Sequence, residues 1–406
     1  MNVLMLAEVS SELVIGGAER VLREQLVGLF RRGHGIQAVV RSPKEDLPSN
    51  IVVDGISESR YNPMRGNAIA FVLSSIVRSI QAFDRGRAGR SPDAVLIHQA
   101  LAGLGPILMR KGCTSNWVYV CLSLAHEEYV TRNVLHKGHL SRGLFFLHSH
   151  VRRLIERLVI RRCHTIVVLS EFMKARVLTF HNVPEERIQV IPAGVDHERF
   201  HPSDDRMGVR SILGLPQDQT LLFTVRNLVP RMGLEALLHA IGELKGSVND
   251  FLVIIGGQGP LRPTLEQLIV KLKLTDVVRL VGFIPEDNLP QYFQAADLVL
   301  MPTHELEGFG LVTIEALACG TPVLGTPVGA IPEVLSLLDS SLIARDRNSE
   351  ALAEAMRGLV RRIREDPGAW TTLSCRARAV VEQHFTWVNH NTQLETLLRK
   401  TIPLGA

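Results

Sequence analysis

Apolar residues fall along the chain in short runs, and between the runs they recur with a helical period. The runs at 3–6, 37–40, 94–98, 117–122 and 165–169 read as buried strands, the first followed by an amphipathic helix over 18–31. A second series places strands at 221–225, 251–255, 278–281, 298–301 and 322–324, with helices at 233–244 and 261–272. Strand and helix alternate nearly throughout, the pattern of parallel sheets covered by helices on both faces. Between the two series lies the polar, proline-containing stretch DHERFHPSDD at 196–205, which reads as a linker. The predicted class is α/β: Rossmann-like doubly wound domains at 1–196 and 197–385, each long enough for its own core. The segments 57–92 and 127–145 read as variable loops, with an exposed basic stretch at 85–92.

Bulk properties narrow the class. No apolar run approaches the ~20 residues that cross a bilayer; the longest, 68–77, reads as a buried helix. The start of the chain lacks a basic region and a small-residue cleavage site, so no signal peptide is expected. The cysteines Cys113, Cys121, Cys163, Cys319 and Cys375 form no CxxC pair, which suits reduced thiols and a cytoplasmic location. Charge is uneven: residues 1–196 hold 25 Lys and Arg against 17 Asp and Glu, whereas 197–406 hold 20 against 24. The basic front half fits an anionic membrane face or a phosphorylated acceptor, and equally a set of solvated Arg-rich helices. Nucleic acid is disfavoured, because the basic residues are scattered and few aromatics lie among them. The stretch 142–162 sets Leu147, Val151, Leu154, Ile155 and Leu158 against Arg152, Arg153, Arg157, Arg161 and Arg162. Packing of the apolar stripe with a wet basic face is expected, and peripheral contact at the inner membrane face is the second reading. His136, His139, His148 and His150 lack the neighbours of a metal site, and none is expected.

The chemistry-bearing segment is Glu307-Gly308-Phe309-Gly310-Leu311-Val312-Thr313-Ile314-Glu315, directly after the strand at 298–301. Gly308 and Gly310 allow a tight turn and close approach of a ligand. Helical periodicity begins near Leu311, so the free N–H groups of Gly310, Leu311 and Val312 can hold a diphosphate. Glu307 and Glu315 can line one pocket and accept hydrogen bonds from sugar hydroxyls; alone, the segment also reads as a Gly-rich turn with two unrelated glutamates. Gly16 and Gly17 open a helix whose N–H groups can face an anion, although GxGxxG is absent and dinucleotide binding is not supported.

This segment resembles the E-x7-E signature of retaining glycosyltransferases of family 4, which have the GT-B fold. Gly16-Gly17-Ala18-Glu19-Arg20 is similar to that family's N-terminal glycine loop, and Val190-Ile191-Pro192-Ala193-Gly194-Val195-Asp196 to its hinge-entry motif. Val167–Glu171, Gly256-Gly257-Gln258-Gly259-Pro260 and Val281-Gly282-Phe283 fit in the right order. The resemblance implies two domains facing across a cleft, acceptor-binding first and donor-binding second, with 386–406 as a helix crossing back to the first. It implies that Glu307 lies near the donor sugar, that Glu315 holds the ribose, and that amides at Phe309, Gly310 and Leu311 bind phosphate. Phe283 and Ile284 would flank the base, and His126 would face the reacting sugar. The family commonly carries an Arg and a Lys five residues apart before a glycine; alignment on Gly233 puts Asn227 and Met232 there. Arg226 and Arg231 stand one place earlier, and Arg231 is expected to supply the charge for a departing diphosphate.

The implied activity is retaining transfer of a hexose-type sugar from a nucleotide-diphosphate sugar to an acceptor hydroxyl, on a glycan or lipid-linked acceptor. Glycan, polysaccharide or glycolipid biosynthesis is the implied setting. No DxD-like motif follows a strand, and no cofactor or metal is expected in the transfer. A sugar-nucleotide epimerase of the same fold and a non-catalytic nucleotide-sugar binding protein are the alternatives.

Overall fold

The computed structural model describes residues 1–401 except 15, 45–46, 65, 88, 90, 110–115 and 134–138; for 68, 132–133, 139–144 and 401 only the backbone is described. Cys113 and His136 therefore lie outside the described residues, as do parts of the stretches 85–92 and 127–145. The chain divides into two compact units, one comprising Met1–Ala193 and the segment from Trp387 onward, the other Gly194–Thr386.

The first unit runs β1 (Asn2–Ala7), α1 (Gly17–Arg31), β2 (Gly35–Arg41), β3 (Asn50–Val53), β4 (Ile56–Tyr61), α2 (Ala68–Gly86), β5 (Ala94–Ile97), α3 (Ala100–Leu108), β6 (Asn116–Cys121), α4 (Ala125–Asn133), α5 (His139–Arg162), β7 (Thr165–Val168), α6 (Glu171–His181) and β8 (Ile188–Val190). Its strands lie in the order β3-β4-β2-β1-β5-β6-β7-β8, parallel except for β3. Leu4 and Leu6 of β1 enter one core layer, while Val3, Met5 and Ala7 enter the other with Leu22 and Leu26 of α1. A strand buried on both faces needs an unbroken apolar run, which is why the sequence shows it.

β4 and α2 correct the expectation that 57–92 is a variable loop. β4 carries Glu58 and Arg60, both buried, so it has no apolar signature. Burial of Glu58 is compensated locally. Its carboxylate accepts hydrogen bonds from Ser10 Oγ at 3.0 Å, Ser11 N at 3.0 Å and Ser11 Oγ at 2.5 Å. Arg60 reaches Glu12 at 2.5 Å and Glu58 at 3.4 Å. The network ties the loop after β1 to the sheet.

Two helices also differ from expectation. α2 extends to Gly86, and its residues Ile69, Leu73 and Val77, four apart, are exposed rather than buried. On α5, Leu147, Val151, Leu154 and Leu158 are exposed. The helix turns Val159, Ile160 and partly buried Ile155 to the core instead.

The second unit runs α7 (Arg206–Ile212), β9 (Thr220–Val225), α8 (Leu234–Lys245), β10 (Phe251–Gly256), α9 (Arg262–Lys271), β11 (Val278–Gly282), α10 (Leu289–Ala295), β12 (Leu298–Met301), α11 (Leu311–Ala318), β13 (Val323–Gly325), α12 (Ile331–Leu335), α13 (Ser349–Glu365) and α14 (Pro367–His384). Its sheet is parallel, in the order β11-β10-β9-β12-β13. The chain winds from β9 outward to β11, then returns to the opposite side of β9 for β12 and β13. The winding therefore reverses between β9 and β12, which places a crevice at the carboxyl ends of these two strands. In the first unit the same reversal lies between β1 and β5.

α15 (Trp387–Thr401) packs on α1 of the first unit, and Leu394 and Leu398 complete that core layer. Gly28 permits the approach: a Cβ there would overlap the side-chain amide of Asn391. Asn391 Nδ2 donates to Glu24 O at 3.2 Å. Buried His390 donates from Nδ1 to Pro192 O at 2.7 Å, so its Nε2 accepts from Gln25 Nε2 at 2.9 Å. Those partners suit a neutral ring, and burial lowers its pKa to about 4 from an unfolded value near 6.5. With the folded pKa below the unfolded one, the unfolded chain binds more protons between these values. The stability is present above pH 6.5 and declines as the pH falls towards 4, at up to ~1.4 kcal/mol per pH unit from this residue. Urea unfolding between pH 7 and 4 should show a shallower acid loss for His390→Gln than for the parent; equal losses would contradict the assignment.

Candidate functional site

The crevice at β9 and β12 is built by two loops that grip each other. Residues 226–233 follow β9, and residues 302–310 follow β12. The amides of His304 and Glu305 donate to Arg231 O at 2.8 and 3.1 Å, and Arg231 Nη1 donates to Leu306 O at 3.0 Å. Gly233, at φ 71°, lies directly under the Pro302 carbonyl, where a Cβ would overlap the oxygen. No other residue type fits that contact. Leu306, not a glycine, also has positive φ, at 54°. Backbone strain of this kind, ~1–3 kcal/mol, persists only where surroundings impose it and is common at ligand sites.

Buried Arg226 and half-buried Glu307 form the polar centre. Arg226 Nη2 donates to Thr303 Oγ1 at 2.8 Å and to the Glu307 carboxylate, and Thr303 Oγ1 donates to the same carboxylate at 3.2 Å. The guanidinium also lies 2.9 Å from Met232 Sδ and 3.4 Å from Met301 Sδ. Burial of the guanidinium is tolerable because it is paired with the carboxylate and bonded to Thr303. Gly310 is the N-cap of α11, at φ 85°, and Thr313 N donates to Gly310 O at 2.8 Å. The first N–H groups of α11, on Leu311 and Val312, have no acceptor within the helix. Together with half-buried Arg231 they form an electropositive rim beside the Arg226–Glu307 pair. Such a rim can hold an anion, and the adjacent carboxylate can accept from hydroxyls.

The structure thus brings Arg226, Arg231, Glu307, Gly310 and Leu311 together. Glu315 is buried in α11, and the Phe309 ring packs on Phe385 at 5.8 Å, leaving only its backbone for a ligand. At the same end of the sheet, after β11, Phe283 is exposed while Ile284 is buried against Gly256.

Gly16, Gly17 and His126 belong to the other unit. Gly16 N is already engaged by Glu19 Oε2 at 3.1 Å. His126 opens α4 with both ring nitrogens buried and without hydrogen-bond partners. Its Nδ1 lies 3.7 Å from Glu156 Oε2.

Thr303 escaped the sequence reading, although it lies one helical turn before Glu307 in the same loop. At the reversal of the first unit, Glu8 N donates to Gln99 Oε1 at 2.7 Å beside buried His98, whose pKa burial pushes down to about 3. Only the strand order reveals these as neighbours.

Residues 15–199 match the family model described as Glycosyltransferase Family 4, and residues 206–366 match that described as Glycosyl transferases group 1. The chain belongs to the family-4-like glycosyltransferases. This glycosyltransferase is 25% identical over 404 residues to a D-inositol 3-phosphate glycosyltransferase of Saccharomonospora viridis, covering 95% of this chain and 90% of the relative. It is 27% identical to an uncharacterised glycosyltransferase of Methanocaldococcus jannaschii, with 93% and 92% of the two chains covered. Among solved structures, sucrose-phosphate synthase from Thermosynechococcus elongatus superposes with a TM-score of 0.82 at 22% identity, over 98% of this chain and 99% of that one. Anabaena HepE in complex with UDP gives 0.74 at 19%, over 98% and 100%. The shared fold is GT-B.

Proposed function

We propose that this glycosyltransferase moves a hexose-type sugar, with retention of configuration, from a nucleoside-diphosphate sugar to an acceptor hydroxyl in glycan, polysaccharide or glycolipid biosynthesis. The observation that carries the reading is the electropositive rim of Arg231 and the α11 N-terminus set beside the Glu307 carboxylate. The UDP and UDP-glucose complexes of the structurally similar HepE support a nucleotide sugar as donor. In this reading the second unit binds donor and the first binds acceptor.

As the bond from C1 to the phosphate oxygen breaks, negative charge gathers on the departing diphosphate. Arg231 and the amides of Leu311 and Val312 stabilise it without reorganising. Glu307 accepts from hydroxyls of the donor sugar, and Arg226 positions Glu307 by holding its other side. Glu315 binds the ribose, and Phe283 covers the base. The acceptor oxygen attacks C1 from the face that the diphosphate leaves, and its proton passes to a diphosphate oxygen. Arg231→Ala and Glu307→Ala should each lower kcat by ~10²-fold, the scale for removing one group that stabilises developing charge. NMR of the first product should show the donor's anomeric configuration; an inverted product would contradict the mechanism.

We further infer that the first unit rests on an anionic bilayer while it meets a lipid-linked acceptor. No described helix is long and apolar enough to cross a membrane. Leu147, Val151, Leu154 and Leu158 nevertheless form an exposed apolar stripe on α5, with exposed Arg152, Arg161 and Arg162 near it. Ile69, Leu73 and Val77 form a second stripe on α2. Apolar side chains ringed by arginines suit the headgroup boundary of an anionic leaflet. The chain should co-sediment with phosphatidylglycerol vesicles more than with phosphatidylcholine vesicles, and Leu147→Glu with Leu154→Glu should reduce this binding at least tenfold. Equal sedimentation with both lipids, or no effect of the substitutions, would contradict the inference.

A further inference from the structure

In the first unit, three elements deliver His126, Glu156 and His181 to one buried point: the start of α4, the middle of α5 and the end of α6. One ligand atom from each residue lies within 4.8 Å of the others. All three side chains are buried, at 8%, 0% and 0% exposure.

Glu156 is oriented from one side. Its Oε1 accepts from Tyr119 Oη at 3.1 Å and from Ala125 N at 3.2 Å. The other oxygen, Oε2, faces His181 Nε2 at 3.2 Å and His126 Nδ1 at 3.7 Å. Neither contact has hydrogen-bond geometry, and Oε2 and all four ring nitrogens are buried without hydrogen-bond partners. Buried polar atoms are nearly always satisfied, and three of these orphans, His126 Nδ1, His181 Nε2 and Glu156 Oε2, converge on one point, which calls for a missing partner.

The geometry points to a bound divalent transition metal, of which Zn²⁺ is the best match, held by His126 Nδ1, His181 Nε2 and Glu156 Oε2. Two nitrogens and one carboxylate oxygen are a common zinc donor set. Bonds of ~2.0–2.1 Å in a tetrahedron put ligand atoms about 3.3 Å apart. Two of the three ligand–ligand distances, 3.2 and 3.7 Å, lie on either side of that spacing, and the third is within 4.8 Å. The hydrogen bonds to Oε1 from Tyr119 and Ala125 act as the outer support that ligating carboxylates usually have. The ion would tie α4, α5 and α6 together, and with three protein ligands its fourth tetrahedral position would be taken by water. It lies in a different unit from the Arg226–Glu307 site and takes no part in the proposed transfer.

The test uses the full chain, loaded with Zn²⁺, dialysed against metal-free buffer and assayed for metal by mass spectrometry. One equivalent of zinc should remain in the parent and be lost in Glu156→Gln and His181→Asn. To separate loss of metal from loss of fold, the parent is also loaded with Co²⁺. Intense visible bands of a tetrahedral ion are expected, and a melting temperature that falls on chelation. A dialysed parent without stoichiometric zinc, a weak octahedral Co²⁺ spectrum, or folded variants that keep the metal would each overturn the proposal. None of these readouts depends on transferase activity.

Discussion

The second unit depends on the close contact between the loops that leave β9 and β12. The contact exists because Gly233 has no side chain to strike the Pro302 carbonyl, and because the backbone of Arg231 receives the amides of His304 and Glu305. These two contacts set where the 302–310 loop runs. Its course puts Glu307 against Arg226 and starts α11 at Gly310, facing the crevice left by the reversal of the winding. Charge then falls into complementary halves: a guanidinium and helix amides for an anion, and a carboxylate for hydroxyls. A site for an activated sugar needs both halves side by side.

The first unit repeats the winding with different fittings. Its reversal lies between β1 and β5, and the loop after β1 is pinned through Ser10, Ser11 and Glu58 rather than through glycine contacts. α15 adds the remaining core layer, so the end of the chain is part of the unit in which the chain begins. Both sheets therefore offer a crevice at the same topological position, one rich in arginine and helix amides, the other lined by Glu8, His98 and Gln99.

What could be read from residues alone followed burial on both faces. The central strands, such as β1 and β12, are unbroken apolar runs, and the Gly-rich turn into α11 stands out beside them. β4 was invisible because a buried Glu–Arg pair replaces its apolar residues. The apolar stripe on α5 was visible, but its direction was not. Periodicity shows that a helix has two faces, and only the packing of Val159 and Ile160 shows which one meets the core. The Arg226–Glu307 pair spans far too much sequence for any local pattern to join its members. The place of His126 after a strand is legible in the sequence, whereas its surroundings come from two later helices.

The most direct test of the account is a crystal structure of the full chain with a nucleoside-diphosphate sugar bound. The account predicts diphosphate oxygens within hydrogen-bonding distance of the amides of Leu311 and Val312 and of the Arg231 guanidinium, with the sugar hydroxyls on Glu307. A nucleotide bound away from the start of α11 would contradict it.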